Sequence, residues 1–262
     1  MTFQNASPLR YPGGKTRACP KLYEILNTHF NLELFETLVS PFFGGGSFEF
    51  YLQNKKNLAI IANDKFTPLY VFWESCKKNK EKLCNIIEKN LGKITKEDFL
   101  RIRRKIMNED DCFEQAKMFF IINRCSFSGS TLSGGFSLES SKKRFTKSSI
   151  QRIANLNLSR TTFFNQDFED FLEKEFEKSI TFLDPPYYLE KKSNLYGSNG
   201  DLHENFNHEK LQKCLKQKKN WIMTYNNCNF IRNLYKDNTI IETSWSYGMN
   251  KDKSSSEIVI IG

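Results

Sequence analysis

The sequence predicts an α/β fold built on a mostly parallel sheet. Short runs of apolar and β-branched residues recur along the chain, each of strand length. Segments of helical length separate several of them, and that alternation is the signature of parallel strands joined by crossovers. The last two runs follow one another directly and read as an antiparallel hairpin.

In chain order, the first strand is Phe35–Val39, leading into Phe42-Phe43-Gly44-Gly45-Gly46 and a helix over Ser47–Gln53. Leu58–Ala62 is the second strand and ends at Asn63-Asp64. From about Phe66 to Arg144 the rhythm breaks. Lys77–Lys105 is rich in Lys and Arg with acids interspersed, Ala116–Arg124 is an apolar helix, and Ser126–Ser141 is a Ser/Gly-rich loop. This stretch is too long for a simple crossover and reads as an inserted helical subdomain. A helix over Ser149–Leu156 then precedes the third strand, Thr161–Phe164, which leads to Asn165-Gln166-Asp167-Phe168 and a helix over Phe168–Phe176. Ile180–Leu183 is the fourth strand and ends at Asp184-Pro185-Pro186-Tyr187. The polar loop Tyr188–Asn207 reads as a candidate lid. The helix His208–Gln217 precedes the fifth strand, Trp221–Tyr225, and Thr239–Trp245 and Glu257–Ile261 form the closing hairpin.

The 262 residues suffice for one large domain or a core domain with an insert. A net charge of +9 suits a polyanionic partner, most simply nucleic acid, although charge alone also serves solubility. No apolar stretch approaches a membrane span and the N-terminus lacks a signal pattern, so a soluble, cytoplasmic protein is expected. The seven Cys are odd in number and none shows Cys-x-x-Cys spacing, which disfavours a disulfide framework or a zinc site. His29, His203 and His208 are too scattered for a metal or triad assignment, and no metal is expected.

The end of the fourth strand carries the most chemistry. Open α/β sheets keep their ligands at the carboxyl ends of strands. There Asp184 can accept a hydrogen bond from an exocyclic amine, and the Pro185 carbonyl can accept a second. Tyr187 offers a face on which a base can stack. A strand-to-loop turn is the competing reading of the same tetrapeptide. Gly44-Gly45-Gly46, after one strand and before a helix, allows close backbone approach, and Asp64 at the end of the next strand can accept from ribose hydroxyls. Glu49 stands where the dinucleotide fingerprint has its third glycine, so the pattern is not that fingerprint; a glycine-rich turn with an acid fits any nucleoside-bearing cofactor, and nicotinamide dinucleotides and S-adenosylmethionine are both allowed. Tyr11-Pro12-Gly13-Gly14-Lys15 fails the phosphate-loop pattern because Leu9 replaces the first glycine. It remains a flexible loop in which Lys15 can meet a carboxylate and Tyr11 an apolar or cationic group.

Taken together and in order, Tyr11–Lys15, Pro41–Gly46, Asp64, Asn123–Gly129, Gln166–Phe168 and Asp184–Tyr187 resemble the Dam-type (D12 class, α group) DNA adenine-N6 methyltransferases. The closing Ser256–Ile261 is similar to that family's last strand. The resemblance implies a Rossmann-like methyltransferase fold with S-adenosylmethionine as cofactor and double-stranded DNA as substrate. It implies a donor-binding catalytic domain over 1–65 and 145–262, and a target-recognition subdomain over 66–144. Tyr11, Lys15, Phe43, Gly44, Gly46, Asp64, Asp167, Phe168 and Asp184 match the cofactor site, with Phe168 stacking on the cofactor's adenine. Asp184, Pro185, Pro186 and Tyr187 match the catalytic motif. Arg124, Phe127, Ser128 and Arg144 match or adjoin the DNA-contacting segment, with Phe127 as a wedge beside a flipped base. A cognate restriction endonuclease is a possible partner. The readings left beside this one are an amino-methyltransferase for cytosine N4 or RNA adenine, and a catalytically inactive DNA-binding protein of the same fold.

Overall fold

The structure, a computed structural model, describes residues 3–11, 13–129, 132–188, 206–246 and 254–262. Positions 189–205 of the candidate lid lie outside the described residues. Seven strands form one sheet: β1 (Thr37–Ser40), β2 (Ala59–Asn63), β3 (Thr161–Phe164), β4 (Ser179–Leu183), β5 (Trp221–Asn226), β6 (Thr239–Ser246) and β7 (Ser254–Ile261). Their spatial order is β3-β2-β1-β4-β5-β7-β6. Strands β1 to β5 pair in parallel, while β7 runs antiparallel to both β5 and β6. Every expected strand is present, with its ends moved by a few residues at most, and the closing pair is antiparallel as expected.

The chain builds outward from β1 through β2 to β3, then returns to the other side of β1 with β4. The two connections therefore diverge at the β1/β4 boundary, leaving a crevice at the carboxyl ends of those strands. The loop after β1 and the tetrapeptide after β4 flank it.

Alternation along the strands covers both faces. On β5, Ile222 enters one apolar cluster and Trp221, Met223 and Tyr225 enter another. On β7, Val259 faces the first, and Ile258 and Ile260 the second. Helices α1 (Cys19–His29) and α2 (Ser47–Lys56) supply the first cluster, through Cys19, Leu22, Ile25 and Leu26 at helical spacing and through Phe48 and Leu52. The second lies under α8 (Phe168–Leu172), α9 (His208–Leu215) and α10 (Asn229–Leu234). A third cluster joins the β2–β3 side of the sheet to α3 (Thr67–Glu88), α4 (Lys96–Lys105), α5 (Cys112–Cys125) and α7 (Lys147–Ala154).

Three features depart from the sequence reading. Helix α1 is an element it did not single out. The Ser/Gly-rich stretch expected as loop contains the start of α6 (Leu138–Arg144), capped by Ser137 Oγ accepting from Ser140 N at 3.1 Å. The helix after β3 stops at Leu172 rather than Phe176.

Candidate active site

Asp184 is the first residue past β4, and two polar groups fix it through three hydrogen bonds. Lys15 Nζ donates to its two carboxylate oxygens at 2.7 and 2.8 Å, and Thr224 Oγ1 on β5 donates to Oδ1 at 2.6 Å. The same ammonium donates to the Gly13 carbonyl at 3.0 Å. The Lys15 side chain is 3% exposed and that of Asp184 23%, so the pair is largely withdrawn from water while the carboxylate keeps an open side. Sequence reasoning gives Lys15 a cofactor carboxylate as partner; here its ammonium holds Asp184.

Tyr187 is set just as firmly. Its hydroxyl donates to Glu257 Oε2 at 2.6 Å, and Glu257 is buried on β7. Its ring stacks on Tyr225 with centroids 5.8 Å apart, and Lys15 Nζ lies 5.0 Å from the ring centroid. The Tyr225 hydroxyl in turn meets His208 Nδ1. Pro185 is buried and Pro186 half-buried between these two anchored residues. Thr224 and Glu257 escaped the sequence reading. For Thr224 the available signal is a polar residue inside an otherwise apolar run, since a buried polar group needs a partner; Glu257 follows three serines and carries no such signal.

The glycine turn and Asp64 form the adjoining wall. Asp64 follows β2 and accepts from Gly44 N at 2.9 Å and Phe66 N at 3.0 Å, one bond to each oxygen. Burial raises its pKa to about 6, against the pull of those two backbone donors. Gly44 and Gly46 both have positive φ, 51° and 65°. An added Cβ at Gly44 would meet the Tyr11 ring at 3.0 Å, so Tyr11 packs directly on the turn. One at Gly46 would lie 2.5 Å from the Phe43 ring. Phe43 itself points into the core, edge-on to Phe50, Trp73 and Phe163. Only its backbone therefore borders the crevice, with the side chain wedged beneath the turn.

Asn63, another residue not singled out, is 1% exposed and joins three loops. Its amide donates to the Pro41 and Gln166 carbonyls, both at 3.1 Å, and its Oδ1 accepts from Gln166 N at 3.0 Å. This brings the segment after β3 to the same edge. There Asp167 caps α8 by accepting from Glu169 N at 3.2 Å and pairs with Lys65 at 2.6 Å. Phe168 lies in an aromatic group with Phe42 and Phe206, at 5.7 and 5.2 Å between centroids. Gln166 Oε1 is buried with no hydrogen-bond partner among the described residues.

Beneath Asp184 lies a second carboxyl group. Glu49 on α2 is buried and accepts from Ser40 Oγ at 2.7 Å. Burial first, and the Asp184 carboxylate after it, push its pKa up to about 8, so it carries a proton near neutrality. The residue that breaks the dinucleotide fingerprint thus keeps a second negative charge away from Asp184.

The segment after α5 meets the N-terminal loop. Asn123 grips Arg10 from both sides, accepting from its N at 3.0 Å and donating to its O at 2.7 Å. Gly129 has φ 73°, and a Cβ there would lie 2.3 Å from Arg10 O. Phe127 projects with 70% exposure, unusual for a large apolar side chain. Arg124 is buried against the Phe120 ring at 5.5 Å, and half-buried Arg144 donates to Ser140 Oγ at 2.9 Å. Ser128 lies in the short turn Phe127–Gly129.

Comparison with known proteins gives the family. The family model for D12 class N6 adenine-specific DNA methyltransferases matches residues 11–249, a span that holds every motif from Tyr11 to Tyr187. The chain is also similar to the Type II methyltransferase M.MjaIII of Methanocaldococcus jannaschii, with 24% identity over 208 residues, covering 72% of each chain. The sheet with its antiparallel last strand, the acceptor set around Asp184 and the family match lead to one assignment: this chain belongs to the D12 class of N6 adenine-specific DNA methyltransferases.

Proposed function

We propose that S-adenosylmethionine is the methyl donor and that Asp184 with the Pro185 carbonyl receives the N6 amine of an adenine flipped out of duplex DNA. The observation that carries this reading is Asp184, fixed by Lys15 and Thr224 at the crevice between β1 and β4 with one side open. The donor set fits an adenosine-bearing group. Asp64 retains lone pairs for ribose hydroxyls, since each of its oxygens takes one backbone donor. Gln166 Oε1 is an orphaned acceptor beside Asp167 and Phe168, suited to an exocyclic amine. S-adenosylmethionine supplies, when bound, a methyl group on a sulfonium that an amine lone pair can attack.

The chain's own residues do the rest. Asp184 and the Pro185 carbonyl accept the two N–H groups of N6, which raises electron density on nitrogen and orients its lone pair. Tyr187, held by Glu257 and Tyr225, supports the base by stacking. Flipping costs a few kcal/mol, and Phe127 fills the gap left in the duplex in this reading, which its exposure supports. Positioning and fixed charge account for the catalysis, and no covalent enzyme intermediate is required. Residues 66–144 form the target-recognition region in this reading. Similarity to a Type II methyltransferase supports a role in restriction–modification beside a cognate endonuclease.

The test is transfer of a labelled methyl group to duplex DNA followed by nucleoside analysis. N6-methyladenine is expected; N4-methylcytosine, or no product, would refute the reading. Asp184→Ala should lower turnover by roughly a thousandfold or more while leaving folding largely intact, and near-normal turnover would refute the role of Asp184.

A further inference from the structure

A cleft of about 430 Å³ opens beside the loop that carries Lys15, on the side towards α7. Five arginines line it: Arg10, Arg17, Arg124, Arg144 and Arg152. Among the described residues none of the five is paired with a carboxylate; the nearby Lys143 is, with Glu139 at 3.0 Å. Like charges gathered in this way repel one another, and Arg152, Arg10 and Arg144 each act on Arg124. Arg124 is 7% exposed and its buried Nε has no hydrogen-bond partner among the described residues. A guanidinium without a carboxylate, withdrawn from water among four others, is unfavourable in the absence of an anion. Burial and these neighbours lower its pKa to about 10.

The position of the cleft indicates which anion. Its wall includes Tyr11, Gly13 and Gly14, next to the lysine that holds Asp184, and Ser47 at the start of α2. On its other side Arg124 stands three residues before the exposed Phe127. The cleft therefore lies between the catalytic loop and the proposed wedge, where the backbone of the strand carrying the displaced base would pass. Guanidinium groups match phosphate oxygens in fork geometry.

We infer that Arg10, Arg17, Arg124, Arg144 and Arg152 form a built site for a phosphodiester of the target DNA strand next to the flipped nucleotide. This rests on the DNA-adenine reading above. The cluster anchors the backbone at the extruded base, so phosphate binding stabilises the displaced conformation.

The test is the salt dependence of duplex-DNA affinity, measured by anisotropy without methyl donor. Arg152→Gln should reduce the slope of log affinity against log salt by about 0.9, and Arg17→Gln with Arg152→Gln by about 1.8. Both side chains are exposed, which spares the core. Lys178→Gln, at the opposite end of β4, serves as control. Slopes equal to wild type in the arginine variants would overturn the proposal. So would a loss of affinity for S-adenosylhomocysteine by calorimetry in Arg152→Gln, which would assign the cleft to the cofactor. Wild-type methyl transfer is assayed separately. Transfer with unchanged slopes removes the phosphate site alone, and reduced slopes without transfer remove the catalytic reading alone.

Discussion

Glu49 shows how one buried group shapes stability. Its carboxyl has a pKa of about 8 in the fold against 4.5 for an unperturbed glutamate. Between those values the unfolded chain is ionised and the folded chain holds a proton. The stabilisation is therefore complete below the lower value and is lost as pH rises through the higher one, at about 1.4 kcal/mol per pH unit. Asp64 acts in the same direction between 3.8 and about 6. Glu49→Gln keeps an acceptor for Ser40 and cannot ionise, so its stability should fall less than wild type's between about pH 5 and about pH 8. Urea unfolding at the two pH values checks this, and equal declines would refute it. At Tyr187, Glu257→Gln exchanges a charge-assisted bond for a neutral one. Turnover should drop roughly tenfold through loss of about 1.4 kcal/mol of positioning, with donor affinity unchanged; single-turnover kinetics and calorimetry read the two separately. Asp184 and Asp64 are legible in the sequence because both end apolar runs. Thr224 lies inside such a run and Glu257 at the start of one, and their partners come from the segment after β4.

Among the elements, α3 is interrupted at Asn79, where φ is −160° and ψ 83°. The Asn79 side chain accepts from Lys82 N at 2.9 Å and so caps the second half of the helix. Asn79→Ala should cost about 1 kcal/mol in urea unfolding and leave methyl transfer intact; no loss of stability would show that the break needs no cap. The strands were readable because burial on both sheet faces selects continuous apolar runs. Helix α6, Leu-Glu-Ser-Ser-Lys-Lys-Arg, lacks an apolar face and is invisible to periodicity. The early end of α8 is not legible in the sequence, because Phe176 continues the apolar pattern from outside the helix and reaches Phe171 with centroids 6.0 Å apart. Helix α1 has regular spacing, but the glycine-lysine loop just before it drew the sequence reading towards a loop.

Across the whole molecule, the N-terminal segment ties the halves together. Asn5 donates to Gln53 Oε1 and the Asn157 carbonyl, both at 2.8 Å, while Asn123 clasps Arg10. The segment leading to Lys15 is thus held against α2 and the stretch before β3 on one side and against α5 on the other. Composition indicated a polyanionic partner but not where it binds, because the arginine cluster draws on four separate stretches of chain. Strand order was equally hidden: nothing local places β4 beside β1 or inserts β7 between β5 and β6. That insertion bears on the order of synthesis. Glu257 is 70 residues beyond the tyrosine it holds. A chain halted between the two would already carry the glycine turn, Asp64 and Asp184, yet Tyr187 would lack its anchor and β5 would present a bare edge. Such an edge recruits other strands. Interrupted translation products would therefore tend to aggregate rather than methylate, and the site is completed only as the last strand enters the sheet.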